Sequence, residues 1–175
     1  AVVPDPHRVD FERIYKTRFP VLEKAYDRFL KKDDFKEFKK FIEENRFWLE
    51  DYALFMALKS VNVEGNWFGW TELHRIRDKE TIDRFKKEHS DKIEFLYFVQ
   101  YKFFEQWLKL KKYANNKGIK IIGDMPIYVA YDSSDVWANP KYWQLDKNLV
   151  PKVVAGVPPD YFARTGQLWG NPIYN

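Results

Sequence analysis

Gly118-Ile119-Lys120-Ile121-Ile122-Gly123-Asp124 is the stretch on which the fold turns. A β-branched run directly after a glycine that closes a helix reads as a buried parallel strand. Asp124 stands at its C-terminal end, where α/β sheets and barrels place their chemistry. One helix and one strand make no sheet, and an isolated parallel strand would leave its backbone groups unpaired. A (β/α)8 barrel needs about 250 residues, whereas this chain has 175. The expectation is a piece of a larger barrel protein, mainly α, with a small β component at 119–124 and in the loops after Val129.

Upstream of Gly118 the pattern is helical. A first helix is expected over 20–31, with Pro20 at its first position and Leu22, Ala25, Tyr26 and Phe29 on one face. Asp34 with Glu37 forms a capping-box pattern for a second helix. Its stripe of Phe35, Phe38, Phe41 and Ile42 continues, after a break near Asn45, through Trp48, Leu49, Tyr52, Phe55 and Met56 to a stop at Gly65. Trp67-Phe68-Gly69-Trp70 reads either as an aromatic plug over the helices or as a sugar-stacking edge. A short helix over 80–88 precedes the longest one, which Asp91 and Glu94 would open and Asn115-Asn116-Lys117-Gly118 would close. The first half of that helix is apolar on more than one side and calls for a sandwiched position, with 109–112 returning to solvent.

Composition bounds the function. No run of 18 apolar residues is present, so no helix is expected to span a bilayer. The absence of Cys excludes disulfides and thiolate metal sites, and His7, His74 and His89 are too scattered for a metal centre. The opening AVVPDPHRVD has no basic-then-apolar leader and predicts no signal peptide, which makes the cytoplasm the expected compartment. The net charge of +4 is thinly spread: residues 1–117 hold 25 Lys/Arg against 21 Asp/Glu, and 118–175 hold five of each. Nucleic-acid binding needs a basic stripe, which this distribution does not supply. Five of seven Gly and six of nine Pro fall in 118–175, marking a change to structured loops near Gly118.

Two long motifs name a family. GIKIIGDMPIYVAYDSSDVWANP (118–140) and VVAGVPPDYFARTGQLWGNPIY (153–174) resemble the 4-α-glucanotransferases of glycoside hydrolase family 77, the amylomaltases or disproportionating enzymes. WLEDYALFMAL (48–58), with Glu94-Phe95 and Gln106-Trp107, is similar to the same family, so the resemblance covers 9–175. It implies a (β/α)8 TIM barrel with a helical insertion and a post-strand subdomain, of which this chain is a fragment. Within it 1–90 would be the helical insertion subdomain, with 9–78 particular to the family. Residues 91–124 would be a barrel helix and the third barrel strand, and 125–175 a subdomain bearing the active-site loop.

The implied reaction moves an α-1,4-glucan segment between maltooligosaccharides with retention, using a nucleophilic carboxylate and an acid/base about 5 Å apart. The resemblance places those catalytic carboxylates outside this chain and implies neither metal nor cofactor. Asp124 matches an Asp that supports the catalytic residues and the adjacent sugar ring; read by itself, it could simply fix the next turn. Pro158 and Pro159 stiffen the start of a loop that folds over the cleft. On that loop Tyr161, Phe162 and Trp169 offer flat faces to glucose, and Asp160, Gln167 and Asn171 offer hydroxyl partners. Packing for Trp169 and turn formation for Asn171 stand as the plain alternatives. Asp132 and Asp135 are expected to cap the turn into Val136 and Trp137. The rival functions are a related α-glucan hydrolase, a non-catalytic glucan-binding module, and a helical interaction module, which leaves the two loop motifs without a reason. Maltooligosaccharides and α-1,4-glucans are the expected partners, with self-association through exposed barrel edges.

Overall fold

The computed structural model describes residues 8–31, 34–62 and 65–175. Asp10 opens helix α1 (Phe11–Phe29) by accepting the Arg13 N–H at 2.9 Å. Pro20 therefore lies inside α1, contrary to the expected start at that residue. It lacks the N–H that would bond the Lys16 carbonyl, and that turn is exposed, so the freed acceptor lies open to solvent. The Asp34–Glu37 box does not form as expected either. Asp34 instead accepts the Lys36 N–H at 3.0 Å in a tight turn, and α2 (Lys36–Glu44) begins after Phe35. Asn45 separates α2 from α3 (Arg46–Val61), its amide donating back to the Phe41 carbonyl while its oxygen accepts the Trp48 indole N–H.

Trp67 and Trp70 are buried, so the aromatic loop acts here as a plug. Phe68 alone stays outside and lies flat on Tyr131, 4.9 Å between ring centres. Short α4 (Glu72–Arg75) and α5 (Lys79–Glu88) follow, the second capped by Asp78, which accepts from the Thr81 N–H. The Thr81 hydroxyl and N–H bonds hold the Asp78 carboxyl below the usual carboxylate range.

Helix α6 (Ser90–Asn116) starts at His89, so Asp91 and Glu94 lie within it rather than boxing its end. Its C-terminus is a Schellman closure: the Gly118 N–H meets the Asn115 carbonyl and the Ile119 N–H meets Ala114, with Gly118 at φ +77°. The expected sandwich is built over the first half of α6: Ile93, Leu96 and Tyr97 pack with side chains of α3 and α5, and Phe95, Phe98 and Val99 with those of α1 and α2. Further along, Phe103, Leu108 and Leu110 are exposed, and 109–112 return to solvent as expected.

Residues 119–124 form no strand, contrary to the expected β component there, although their exposure fits the exposed barrel edge expected of a fragment. A strand persists through its ladder, and among the described residues no segment pairs with this one; Ile122 is 95% exposed. The β structure lies downstream, in an antiparallel hairpin of β1 (Val154–Val157) and β2 (Gln167–Pro172). Ser133, not Asp132 or Asp135, caps the intervening α7 (Ser134–Ala138), accepting from the Val136 N–H. Asp132 is drawn away into an ion pair with Lys59 of α3.

Two aromatic-rich cores result. Tyr26, Phe29, Phe38 and Phe98 pack α1 and α2 on α6. The larger core gathers Leu54, Phe55 and Leu58 of α3 with Trp67, Trp70, Phe85, Ile93, Trp137 and Trp143, and so ties the post-124 segment to the helices. The fully buried indoles are hydrogen-bonded, Trp67 to the Tyr131 carbonyl at 2.7 Å and Trp137 to the His74 carbonyl at 2.9 Å. The architecture is mainly helical with a two-stranded hairpin.

Candidate functional site

The hairpin exists to hold out a loop. Val157 pairs with Gln167 and Gly156 with Leu168, but Val154 pairs with Pro172. That register slip gives β2 two extra residues, and Gly170 at φ +78° sits within the bulge. At the other end Gly166, at φ +71°, closes the connection where a Cβ would lie only 2.6 Å from the Val157 carbonyl oxygen. Only glycine fits there without displacing backbone.

Between Pro158 and Gly166 the loop is shaped by Asp160. Its Oδ1 accepts from the N–H groups of Phe162 at 2.9 Å and Ala163 at 2.7 Å, and its own N–H donates to the Ala163 carbonyl. This turn throws Tyr161 and Phe162 outward, 95% and 91% exposed, with their rings edge to face at 5.6 Å. Two neighbouring aromatic side chains left in water are an unusual expense of apolar surface.

The other candidates fall into two groups. Trp169 is half exposed on β2, and its indole N–H donates to Gln167 Oε1 at 3.1 Å. Asn171 is turned inward, its amide donating to the Val129 carbonyl at 2.8 Å. Asp124 stands on the exposed 119–127 segment and accepts the Met125 N–H at 2.8 Å. Asp160, Tyr161, Phe162, Gln167, Trp169 and Asn171 thus share one hairpin, and Asp124 lies on the segment fastened to its base. Tyr128 and Tyr174, which sequence reasoning passed over, make that fastening: Tyr174 donates to the Ile127 carbonyl at 3.0 Å and stacks on Tyr128. Two Tyr inside otherwise informative motifs were the available signal.

Two clefts, of about 410 and 510 Å³, lie elsewhere. The first is lined by Phe29, Phe98 and Lys102 between α1 and α6; the second by His74, Arg84 and His89; neither touches the seven candidates. Among the described residues no group of three or more His, Asp or Glu could hold a metal ion, and no helix is long and apolar enough to cross a membrane.

The chain thus holds an exposed aromatic loop, edged with carboxylate and amide groups, out from a helical body. The pattern of glycoside hydrolase family 77, 4-alpha-glucanotransferase, matches residues 2–175, and the chain belongs to that family. It is 49% identical to the 4-alpha-glucanotransferase of Clostridium butyricum, over 95% of this chain and 34% of that protein. The Thermus thermophilus 4-alpha-glucanotransferase is 45% identical over 95% of this chain, and the chloroplastic/amyloplastic protein of Solanum tuberosum 40% over 99%. The amylomaltase from Streptococcus agalactiae, solved in complex with acarbose, superposes with a TM-score of 0.93 at 42% identity, over 99% of this chain and 35% of that one. The chain spans about a third of the length of the relatives it matches.

Proposed function

We propose that the protein to which this chain belongs transfers α-1,4-glucan segments between maltooligosaccharides with retention. This stretch supplies substrate-binding loops, and the catalytic carboxylates come from elsewhere in the polypeptide. The observation that carries the reading is the pair Tyr161 and Phe162, held in water at the tip of a loop that Asp160 and Gly166 fix in shape. Such a loop gains by closing on the apolar face of a sugar ring, excluding water from a glycosyl intermediate that water would otherwise hydrolyse. Trp169 adds a third aromatic face. Asp124, the second oxygen of Asp160 and the Gln167 amide meet glucan hydroxyls, while the inward Asn171 amide, bound to the Val129 carbonyl, takes the turn-forming alternative. The acarbose bound by the Streptococcus agalactiae relative supports an oligosaccharide as the ligand.

On this reading 119–124 becomes the third strand of a (β/α)8 barrel and 91–117 a barrel helix. Residues 1–90 form the helical insertion, and 125–175 the subdomain that carries the loop. The exposed run Ile119, Ile121 and Ile122 and the exposed apolar residues of the second half of α6 are what such an arrangement leaves for neighbouring strands and helices to cover. Incubating the full-length protein with maltotriose tests the activity. A ladder of longer products is the expected result; shorter sugars alone would mean hydrolysis, and unchanged maltotriose would leave a glucan-binding role.

A further inference from the structure

The candidate site has two parts that are far apart in sequence, Asp124 and the loop tip at Tyr161 and Phe162. A short chain of rings links the segment that follows Asp124 to the hairpin that carries the tip. Trp143, buried in the larger core, lies 4.5 Å from Tyr174; Tyr174 stacks on Tyr128 at 6.0 Å and 19°; Tyr128 meets Trp169 at 6.3 Å and 64°. The series runs from the core to β2, the strand that leads out of the loop. Two hydrogen bonds flank the Tyr128 ring: Tyr174 Oη donates to the Ile127 carbonyl at 3.0 Å, and Asn171 Nδ2 donates to the Val129 carbonyl at 2.8 Å. Three consecutive residues, Ile127 to Val129, are thereby tied to three points on β2 and its continuation.

Tyr174 is itself held from behind. Its backbone pairs with Trp143, its carbonyl accepts from the Gln144 side chain at 2.9 Å, and the Asn175 N–H donates to the Tyr142 carbonyl at 2.9 Å. These ties join the residues that follow Asp124 directly to the hairpin that carries the loop.

We propose that Tyr128, backed by Tyr174, is a positioning residue that sets the spacing between Asp124 and the aromatic tip of the 158–166 loop. The consequence for catalysis rests on the glucanotransferase reading; the positioning itself does not. The Tyr128 ring makes the contacts, so Tyr128→Phe keeps the function and Tyr128→Ala loses it. Tyr174→Phe keeps both ring contacts and removes only the tie to Ile127.

The test uses the full-length protein and two readouts. Backbone hydrogen exchange is measured first. Tyr128→Ala should speed exchange in both 125–129 and 158–171 while exchange in α3 and α6 stays as in the wild type; Tyr128→Phe should match the wild type throughout. Kinetics on maltotriose come second. Misplacing a substrate-orienting group should raise KM about tenfold in Tyr128→Ala with kcat less affected, and raise the share of hydrolysis. Tyr174→Phe should fall between. Uniformly faster exchange across the whole chain, or a lower kcat at unchanged KM and product ratio, would make Tyr128 a merely structural residue and overturn the proposal. Failure of Tyr128→Phe to restore the wild-type pattern would overturn it too. A wild-type protein that makes no longer products refutes the glucanotransferase reading alone, and the exchange pattern then decides the positioning claim by itself.

Discussion

Arg77 shows how one residue can hold a strained conformation to advantage. It occupies the position after α4 that a Schellman closure normally gives to glycine, at φ +58°, with the Asp78 N–H bonded to the Leu73 carbonyl and its own N–H to His74. The left-handed conformation costs about 1 kcal/mol for a residue with a Cβ. In return the guanidinium lies 4.3 Å over the Trp137 ring and 2.5 Å from the Asp51 carboxylate, contacts worth about 2 kcal/mol together for a partly buried pair. Arg77→Ala should therefore destabilise the protein by about 2 kcal/mol in urea unfolding, and Arg77→Gly by about half of that because the strain is relieved. Equal losses in the two variants would refute the strain argument. The neighbouring His74 carries a second prediction. Its Nδ1 is buried and has no hydrogen-bond partner among the described residues, and burial, helped by Arg84, lowers its pKa below the ordinary 6.5. Between the folded and unfolded values the unfolded chain binds a proton that the folded chain refuses, so stability rises with pH across that window. Lowering the pH through 6.5 should progressively weaken the fold, with the loss complete below the folded pKa. His74→Phe should flatten this part of the profile, and urea midpoints at about pH 7.5 and about pH 5.5 measure it.

At the scale of elements the hairpin offers the sharpest contrast, because two of its glycines share a conformation but not a neighbourhood. Gly166 and Gly170 sit at φ +71° and +78°, yet a Cβ on Gly166 would press on the Val157 carbonyl whereas one on Gly170 would meet nothing within 4 Å. Gly170→Ala should cost only the backbone strain, about 1 kcal/mol. Gly166→Ala should add the displacement of β1 and accelerate amide exchange at Val157 and Gln167, with little change in the helices. Matching exchange rates in the two variants would contradict this. The helices were largely legible in the sequence, since periodic apolar stripes, the break at Asn45 and the Gly118 stop are local signals. Their starts were less so: a cap depends on which side chain turns back onto the backbone, and Asp10, Ser133 and the tight turn at Asp34 win that competition over the expected patterns. The β1–β2 hairpin was missed as such because its strands are short, glycine-bearing and bulged, with no sustained alternation. Residues 119–124 read as a strand and are none here, since strand identity depends on neighbours the local sequence cannot supply. Of the candidate site, the stiff loop with outward Tyr161 and Phe162 follows from local Pro and Gly chemistry, whereas the turn that Asp160 makes was missed, since the sequence reading gave that residue only as a hydroxyl partner. The ring chain through Tyr128 and Tyr174 depends on contacts more than forty residues apart.

For the molecule as a whole, the decisive contrast is between what is packed and what is bare. The cores bury Trp67, Trp137, Leu49, Leu54 and Phe98 completely or nearly so, as a folded unit should. Ile122, Met125, Ile127, Phe103, Leu108 and Leu110 stand in water, most of them on the segment and helix end that the barrel reading assigns to the interior of a larger protein. Contiguous apolar surface of that kind favours association, through the same burial that builds a core. The isolated 175-residue chain should therefore fold its helical cores yet self-associate as concentration rises, which sedimentation velocity will show. Ile122→Lys together with Ile127→Lys should reduce the association without lowering the urea midpoint, because both side chains are exposed in the monomer. The same chain should leave maltotriose unchanged, since the reading proposed above draws the nucleophile and the acid/base from elsewhere in the polypeptide. The two measurements separate the possibilities. A monodisperse monomer would mean that the bare face is stable in water and needs no cover. Turnover by the pure chain would place catalytic carboxylates within these residues, with Asp124 and Asp160 the first to replace by Asn.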